Sequence, residues 1–176
     1  MASSATAVEA GVVRTRTDDW AGKYLVFPLG REEYGIQVLK VREIMGVQDI
    51  TAVPQTPAYV KGVINLRGKV IPVVDLRMKF GLPEVEYGQR TCIIVVQVEG
   101  PAGAMYTGIV VDGVSEVLNI AASDVEDTPD FGRNADTPYL LGMAKIKGKV
   151  KILLDIDEVL NSRELHGIEE LVRERE

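Results

Sequence analysis

Apolar residues along this chain fall in short runs and alternations, and the elements they predict are strands. Lys23-Tyr24-Leu25-Val26-Phe27 reads as a strand rich in aromatic and branched side chains. Glu33 to Val38 alternates, with Tyr34, Ile36 and Val38 on one face, and Gly30 to Glu32 form the turn before it. The prolines of Val53-Pro54-Gln55-Thr56-Pro57 forbid a continuous ladder there. Beyond that loop, Gly62–Leu66 and Lys69–Asp75 flank Arg67-Gly68, the pattern of a hairpin. Asp75 to Phe80 predicts a short helical turn, stopped at Gly81-Leu82-Pro83.

The second half repeats this order. Thr91 to Val96 is an apolar strand closed by the turn Gly100 to Gly103. Ile109–Val117 lies over Ile36–Ile44, with Ile, Val, Val and Glu recurring. Gly142–Asp155 aligns without a gap under Gly62–Asp75, matching Gly142 to Gly62, Gly148 to Gly68, Lys149 to Lys69 and Asp155 to Asp75. Recurrence of three segments in one order points to a duplication. The architecture expected is all-β: two similar small antiparallel barrels side by side, sharing buried surface because each half alone is near the size where a core is marginal. The first barrel is expected over about 20–85 and the second over about 88–155, with exchange of strands between them left open. Residues 1–19 read as a leader, Ser123 to Thr137 as a polar loop, and 156–176 as a C-terminal helix striped with Ile156, Val159, Leu160, Leu165, Ile168 and Leu171.

Composition narrows the function classes. Of 176 residues, 26 are acidic and 20 basic, a net charge of −6 that argues against binding nucleic acid through phosphate contacts. The single cysteine, Cys92, forms no internal disulfide, which fits a reducing compartment. No basic segment followed by an apolar run opens the chain, and no stretch nears the ~18 apolar residues of a membrane span. A cytoplasmic protein is expected.

Candidate chemistry fails residue by residue. The only histidine, His166, lies in the charged C-terminal stretch. Cys92 sits in an apolar run that favours a buried structural thiol. Gly62–Lys69 and Gly142–Lys149 resemble phosphate loops, but the glycines are one residue too far apart and Val70 and Val150 replace the magnesium-binding hydroxyl. The acidic run Asp124, Glu126, Asp127, Asp130 carries Pro129 where a calcium loop needs glycine. Lys145, Lys147, Lys149 and Lys151 alternate as a basic stripe, read as an exposed sheet face. No catalytic residue, metal site or cofactor is expected, and the inventory is that of a binding module.

Three motifs carry a resemblance to a known family. Val53-Pro54-x-x-Pro57-x-x-Val60-x-Gly62-Val63-Ile64-Asn65-Leu66-Arg67-Gly68, followed by Val70 to Arg77, resembles the signature of CheW-like domains. So do Phe27-x-Leu29-Gly30-x-Glu32-x-Tyr34-Gly35-Ile36 and Gly108 to Val114, and the likeness runs from about residue 22 to residue 160. The resemblance implies two five-stranded SH3-like barrels and an adaptor role in chemotaxis, without catalysis. The implied partners are the regulatory domain of the histidine kinase CheA and the cytoplasmic tip of methyl-accepting receptors, with no nucleic acid, no membrane insertion and room for weak self-association. Similar proteins suggest a kinase contact at Val41, Gly62 and Arg67. They place the receptor in the groove between barrels near Glu43, Arg67, Val114 and Val117. Gly62 equally fits a purely backbone role, and the valines equally fit ordinary core. Because Glu43 and Arg67 hold the places of Glu116 and Lys147 in the repeat, an ion pair between Glu43 and Arg67 is expected to fix the hairpin turn. The rival readings are a nucleic-acid-binding barrel, which would need aromatics on its basic face, and an enzyme for which no residues stand out.

Overall fold

A computed structural model of the chain describes residues 21–100, 103–126 and 139–161. Eleven strands and two single-turn helices follow in order: β1 (Gly22–Leu29), β2 (Glu32–Gln37), β3 (Val41–Gly46), β4 (Val60–Leu66), β5 (Lys69–Asp75), α1 (Leu76–Lys79), β6 (Cys92–Gly100), β7 (Gly103–Val111), β8 (Glu116–Ile120), β9 (Val125–Glu126), β10 (Leu140–Ile146), β11 (Lys149–Leu154) and α2 (Ile156–Val159). The leader, residues 127–138 and most of the predicted C-terminal helix lie outside the described residues. The described part of that helix is the one turn α2.

The repeat is visible in backbone detail. Both long hairpins turn on two residues of positive φ, Arg67 and Gly68 in one, Lys147 and Gly148 in the other, the geometry that matches strand twist in two-residue turns. Each hairpin carries a bulge at the same place, between Val60 and Gly62 and between Leu140 and Gly142. Each ends on an aspartate, Asp75 or Asp155, whose carboxylate accepts a backbone N–H of the helical turn that follows. The N–H of Asp75 donates to the Tyr59 carbonyl at 2.7 Å, and that of Asp155 to the Tyr139 carbonyl at 2.8 Å.

The sheets, however, are not the two halves of the sequence. One has the order β8-β1-β2-β11-β10-β9 and the other β3-β6-β7-β5-β4. Each barrel therefore takes its opening hairpin from one half and its remaining strands from the other, so contiguous barrels over 20–85 and 88–155 do not describe the hydrogen bonding. The joints are two parallel pairings, β2 with β11 and β5 with β7. At each joint a glycine faces the partner strand: Gly35 opposite Leu153 and Gly108 opposite Val73. A Cβ on Gly35 would lie 3.2 Å from Leu153 Cδ2, and one on Gly108 only 2.9 Å from Ile93 Cγ2.

Three apolar clusters follow from the exchange. Tyr24, Ile120, Val125, Ala144 and Leu153 fill the first barrel. Ile64, Ile71, Val73, Ile93, Val95 and Val110 fill the second. The largest cluster lies between them and draws Leu25, Phe27, Leu29 and Ile36 from one sheet and Ile94, Val96, Ile109 and Val111 from the other. Successive residues of β6 thus point alternately into a barrel and into the layer between barrels. A strand buried on both faces needs a continuous apolar run, which Ile93–Val96 supplies.

Two expectations are corrected here. Val38 leaves the strand for a 3-10 turn, Val38–Lys40, so the alternation ends at Ile36. Lys151 is not on an exposed stripe: it is 5% exposed and paired with Glu33, its direct partner across the β2–β11 joint. The Ser115 hydroxyl also donates to Glu33, at 3.1 Å.

Two outcomes test this account. Gly62 has φ +138°, and a Cβ there would stand 2.0 Å from the Thr51 carbonyl oxygen. Gly62→Ala is expected to cost more than about 2 kcal/mol in urea unfolding; a change within about 0.5 kcal/mol contradicts it. The Lys151 ammonium holds the Glu33 carboxyl below its usual value of 4.5. A depressed carboxylate contributes stability above its unfolded pKa and loses it as pH falls through the folded value. The wild type is therefore expected to lose stability below pH 4.5 more steeply than Glu33→Gln, measured by urea midpoints across that range.

Candidate functional surface

The hairpin β4–β5 and the edge strand β3 build the first candidate surface. In the second barrel β3 and β4 stand at opposite ends of the sheet order. Closure brings them together: Thr51, just after β3, bridges to Val63 on β4 with N–H···O distances of 2.9 Å in both directions. Across the same seam, Arg67 Nη2 meets Glu43 Oε1 at 2.7 Å. The expected ion pair is present, and it ties the β4–β5 turn to β3. Within the turn, Asn65 Oδ1 accepts the Gly68 N–H at 2.8 Å. Arg67 remains 74% exposed even so, leaving most of its guanidinium surface to an outside acceptor. On the repeat-equivalent hairpin, Lys145 of β10 pairs with Glu126 at 3.3 Å, so the basic stripe there is partly neutralised as well as broken at Lys151.

The sites named from sequence divide between the barrels. Val41 and Glu43 lie on β3, opposite Val96 and Val95 of β6 with a bulge between them. Val41 is half-buried against the layer between barrels. Gly62 is buried and held close to Thr51 by its backbone, so glycine there is required by packing and offers no side chain. Val114 and Val117 belong to the other barrel's edge. Val114, in the loop entering β8, is half-buried against the same central layer. Val117, paired with Leu25 across β1–β8, is 55% exposed.

Sequence reading missed two exposed apolar residues. Ile44 on β3 is 46% exposed and Leu39 in the preceding turn is 69% exposed. Ile44 is the repeat equivalent of Val117, so each barrel shows an uncovered branched residue on its exchanged edge strand. The signal was available in the alternation of β3, whose Val41, Glu43 and Met45 are half-buried while Arg42 and Ile44 are exposed. Cys92 is half-buried, and burial pushes its thiol pKa up, which fits a packing role. His166 lies outside the described residues.

Two small barrels fused through a common core, with apolar edges and a charged turn, define a binding module. The chain belongs to the CheW-like domain family, whose pattern matches residues 23–164. It is similar to the chemotaxis protein CheW of Klebsiella aerogenes, 40% identical over 151 residues, covering 86% of this chain and 89% of that protein. It is also similar to the chemotaxis protein CheW of Rhizobium meliloti, 36% identical over 140 residues, covering 80% and 88%. The crystal structure of the scaffolding protein TtCheW from Thermoanaerobacter tengcongensis superposes with a TM-score of 0.72 at 33% identity, covering 82% of this chain and 95% of that one. The fold is accordingly a pair of SH3-like barrels.

Because the Glu43–Arg67 pair is largely solvated, its expected worth is about 0–1 kcal/mol. In a double-mutant cycle read by urea unfolding, Glu43→Arg and Arg67→Glu each lower stability, and the reversed pair recovers part of the loss. No recovery contradicts direct pairing.

Proposed function

We propose that this protein is a chemotaxis adaptor that couples receptors to a histidine kinase and performs no reaction of its own. The partners are the regulatory domain of CheA and the cytoplasmic tip of methyl-accepting receptors, which places the protein in the cytoplasm at membrane-associated receptor arrays. None of the helices among the described residues is long and apolar enough to cross a membrane. The observation that carries the reading is the presence of two unlike faces on one packed body. On one barrel, the half-buried Val41 of β3 supplies apolar contact and the exposed Arg67 of the β4–β5 turn supplies a cation, suited to the kinase domain, with Gly62 holding β4 close to Thr51. On the groove side, Val114 and Val117 supply apolar contact at the margin of the central layer, and Glu43 and Arg67 supply charge, suited to a receptor helical hairpin. Contacts of this kind are apolar at the centre and polar at the rim.

The coupling follows from rigidity. A partner on the β3 and β4–β5 face and a partner in the groove are held at a fixed relation by the shared core, so a shift in one biases the other through differential contacts. Calorimetric titration of the purified protein with the CheA regulatory domain is expected to show saturable binding. Val41→Asp, a charge placed in an apolar contact, weakens it about tenfold or more. Unchanged affinity in a folded Val41→Asp protein contradicts the assignment of the kinase face to β3 and the β4–β5 turn.

A further inference from the structure

Two polar clusters outside the candidate surface occupy equivalent places at the exchange joints. In one, Asp112 Oδ2 accepts the Gly30 N–H at 2.8 Å and the Arg77 Nη1–H at 2.8 Å. In the other, Asp157 Oδ1 accepts the Glu99 N–H at 3.1 Å, while its Oδ2 meets Lys40 Nζ at 2.6 Å. The strand registers make the correspondence explicit. Leu25 faces Ile36 as Ile94 faces Ile109, so Gly30 and Glu99 are equivalent ends of β1 and β6. Arg77 and Asp157 are the second residues of α1 and α2. Asp112 follows β7 where Leu39 and Lys40 follow β2.

Each cluster thus takes a strand end and a helical turn from one half of the chain and a loop residue from the other, and the acid and base change places. The first half contributes only bases, Lys40 and Arg77; the second contributes only acids, Asp112 and Asp157. We infer that the two clusters are a pairing code, which lets a first half assemble with a second half and disfavours assembly of like halves from two chains. The need for such a code arises from the fold. Each half leaves its opening hairpin to be completed by strands of the other, and the two halves share pattern, bulges and caps, so nothing apolar separates like from unlike. Two first halves would bring Arg77 against Leu39 and Lys40, with no carboxylate for the Gly30 N–H. Two second halves would bring Asp157 against Asp112. Specificity from mismatched charge of this kind works by penalising the wrong partner. The inference stands on the exchange of strands and the two ion clusters, independently of the adaptor reading.

The test uses the full chain. Leu39→Asp with Asp157→Arg gives each half both an acid and a base, so that these two clusters become satisfied in like and unlike pairings alike and only the Glu33–Lys151 pair still favours unlike halves. Leu39 is mostly exposed, so its replacement leaves packing untouched. After refolding at high concentration, light scattering is expected to show the dimeric and larger fraction about threefold or more above wild type. A refolded variant as monomeric as the wild type overturns the code. A stability cycle keeps the inference testable should that variant fail to fold. Arg77→Asp and Asp112→Arg each lower the melting temperature, by about 2–4 °C, and the exchanged pair regains part of the loss, since the Gly30 N–H has lost its Asp112 acceptor. An exchanged pair that melts as low as the two single changes added together overturns the inference.

Discussion

The parallel pairings β2–β11 and β5–β7 are the constraint on which this molecule depends. They are where one half of the chain ceases to pair with itself and begins to pair with the other. Gly35 leaves room for Leu153 at the first joint, Gly108 leaves room for Ile93 of the neighbouring β6, and at the first joint the buried Lys151 ammonium is answered by Glu33. From these joints follow the two barrels and the apolar layer between them. Leu25 and Phe27 on one side and Ile94 and Val96 on the other face a common interior because neither hairpin closes on its own half. Unfolding one barrel would strip the other of strands, so the two are expected to unfold together.

The functional surface inherits this arrangement. β3 leaves one barrel's hairpin to become the edge of the other, and the Glu43–Arg67 pair together with the Thr51–Val63 bridge closes the seam that results. The charged turn proposed as a partner contact is therefore held by the same closure that completes the barrel. A largely solvated pair is expected to add little stability, so its worth lies in the position it gives Arg67.

What was legible in the sequence is what local chemistry dictates. The hairpins around Arg67-Gly68 and Lys147-Gly148, their terminal aspartates and the duplication could all be read, because turn residues, caps and spacing are local. The Glu43–Arg67 pair was legible through the repeat itself. The exchange of strands was not decided by sequence, since a period-two pattern is the same whether a hairpin closes on its own half or on the other. The burial of Lys151 was unreadable for a related reason: its partner Glu33 is 118 residues away. Ile44 escaped notice although the alternation of β3 places it with Arg42 on the outer face, and Leu39 because it lies in a turn where no strand period applies.

The central claim is that two distinct faces on one rigid body hold two partners at once. Its most direct test is formation of a ternary complex, followed by sedimentation velocity, from this protein, the CheA regulatory domain and a soluble fragment of the receptor tip. The account predicts that receptor fragment binds the preformed adaptor–kinase complex and yields a single heavier species containing all three. Release of the kinase domain as the receptor fragment is added would mean that the partners compete for one face, and would contradict it.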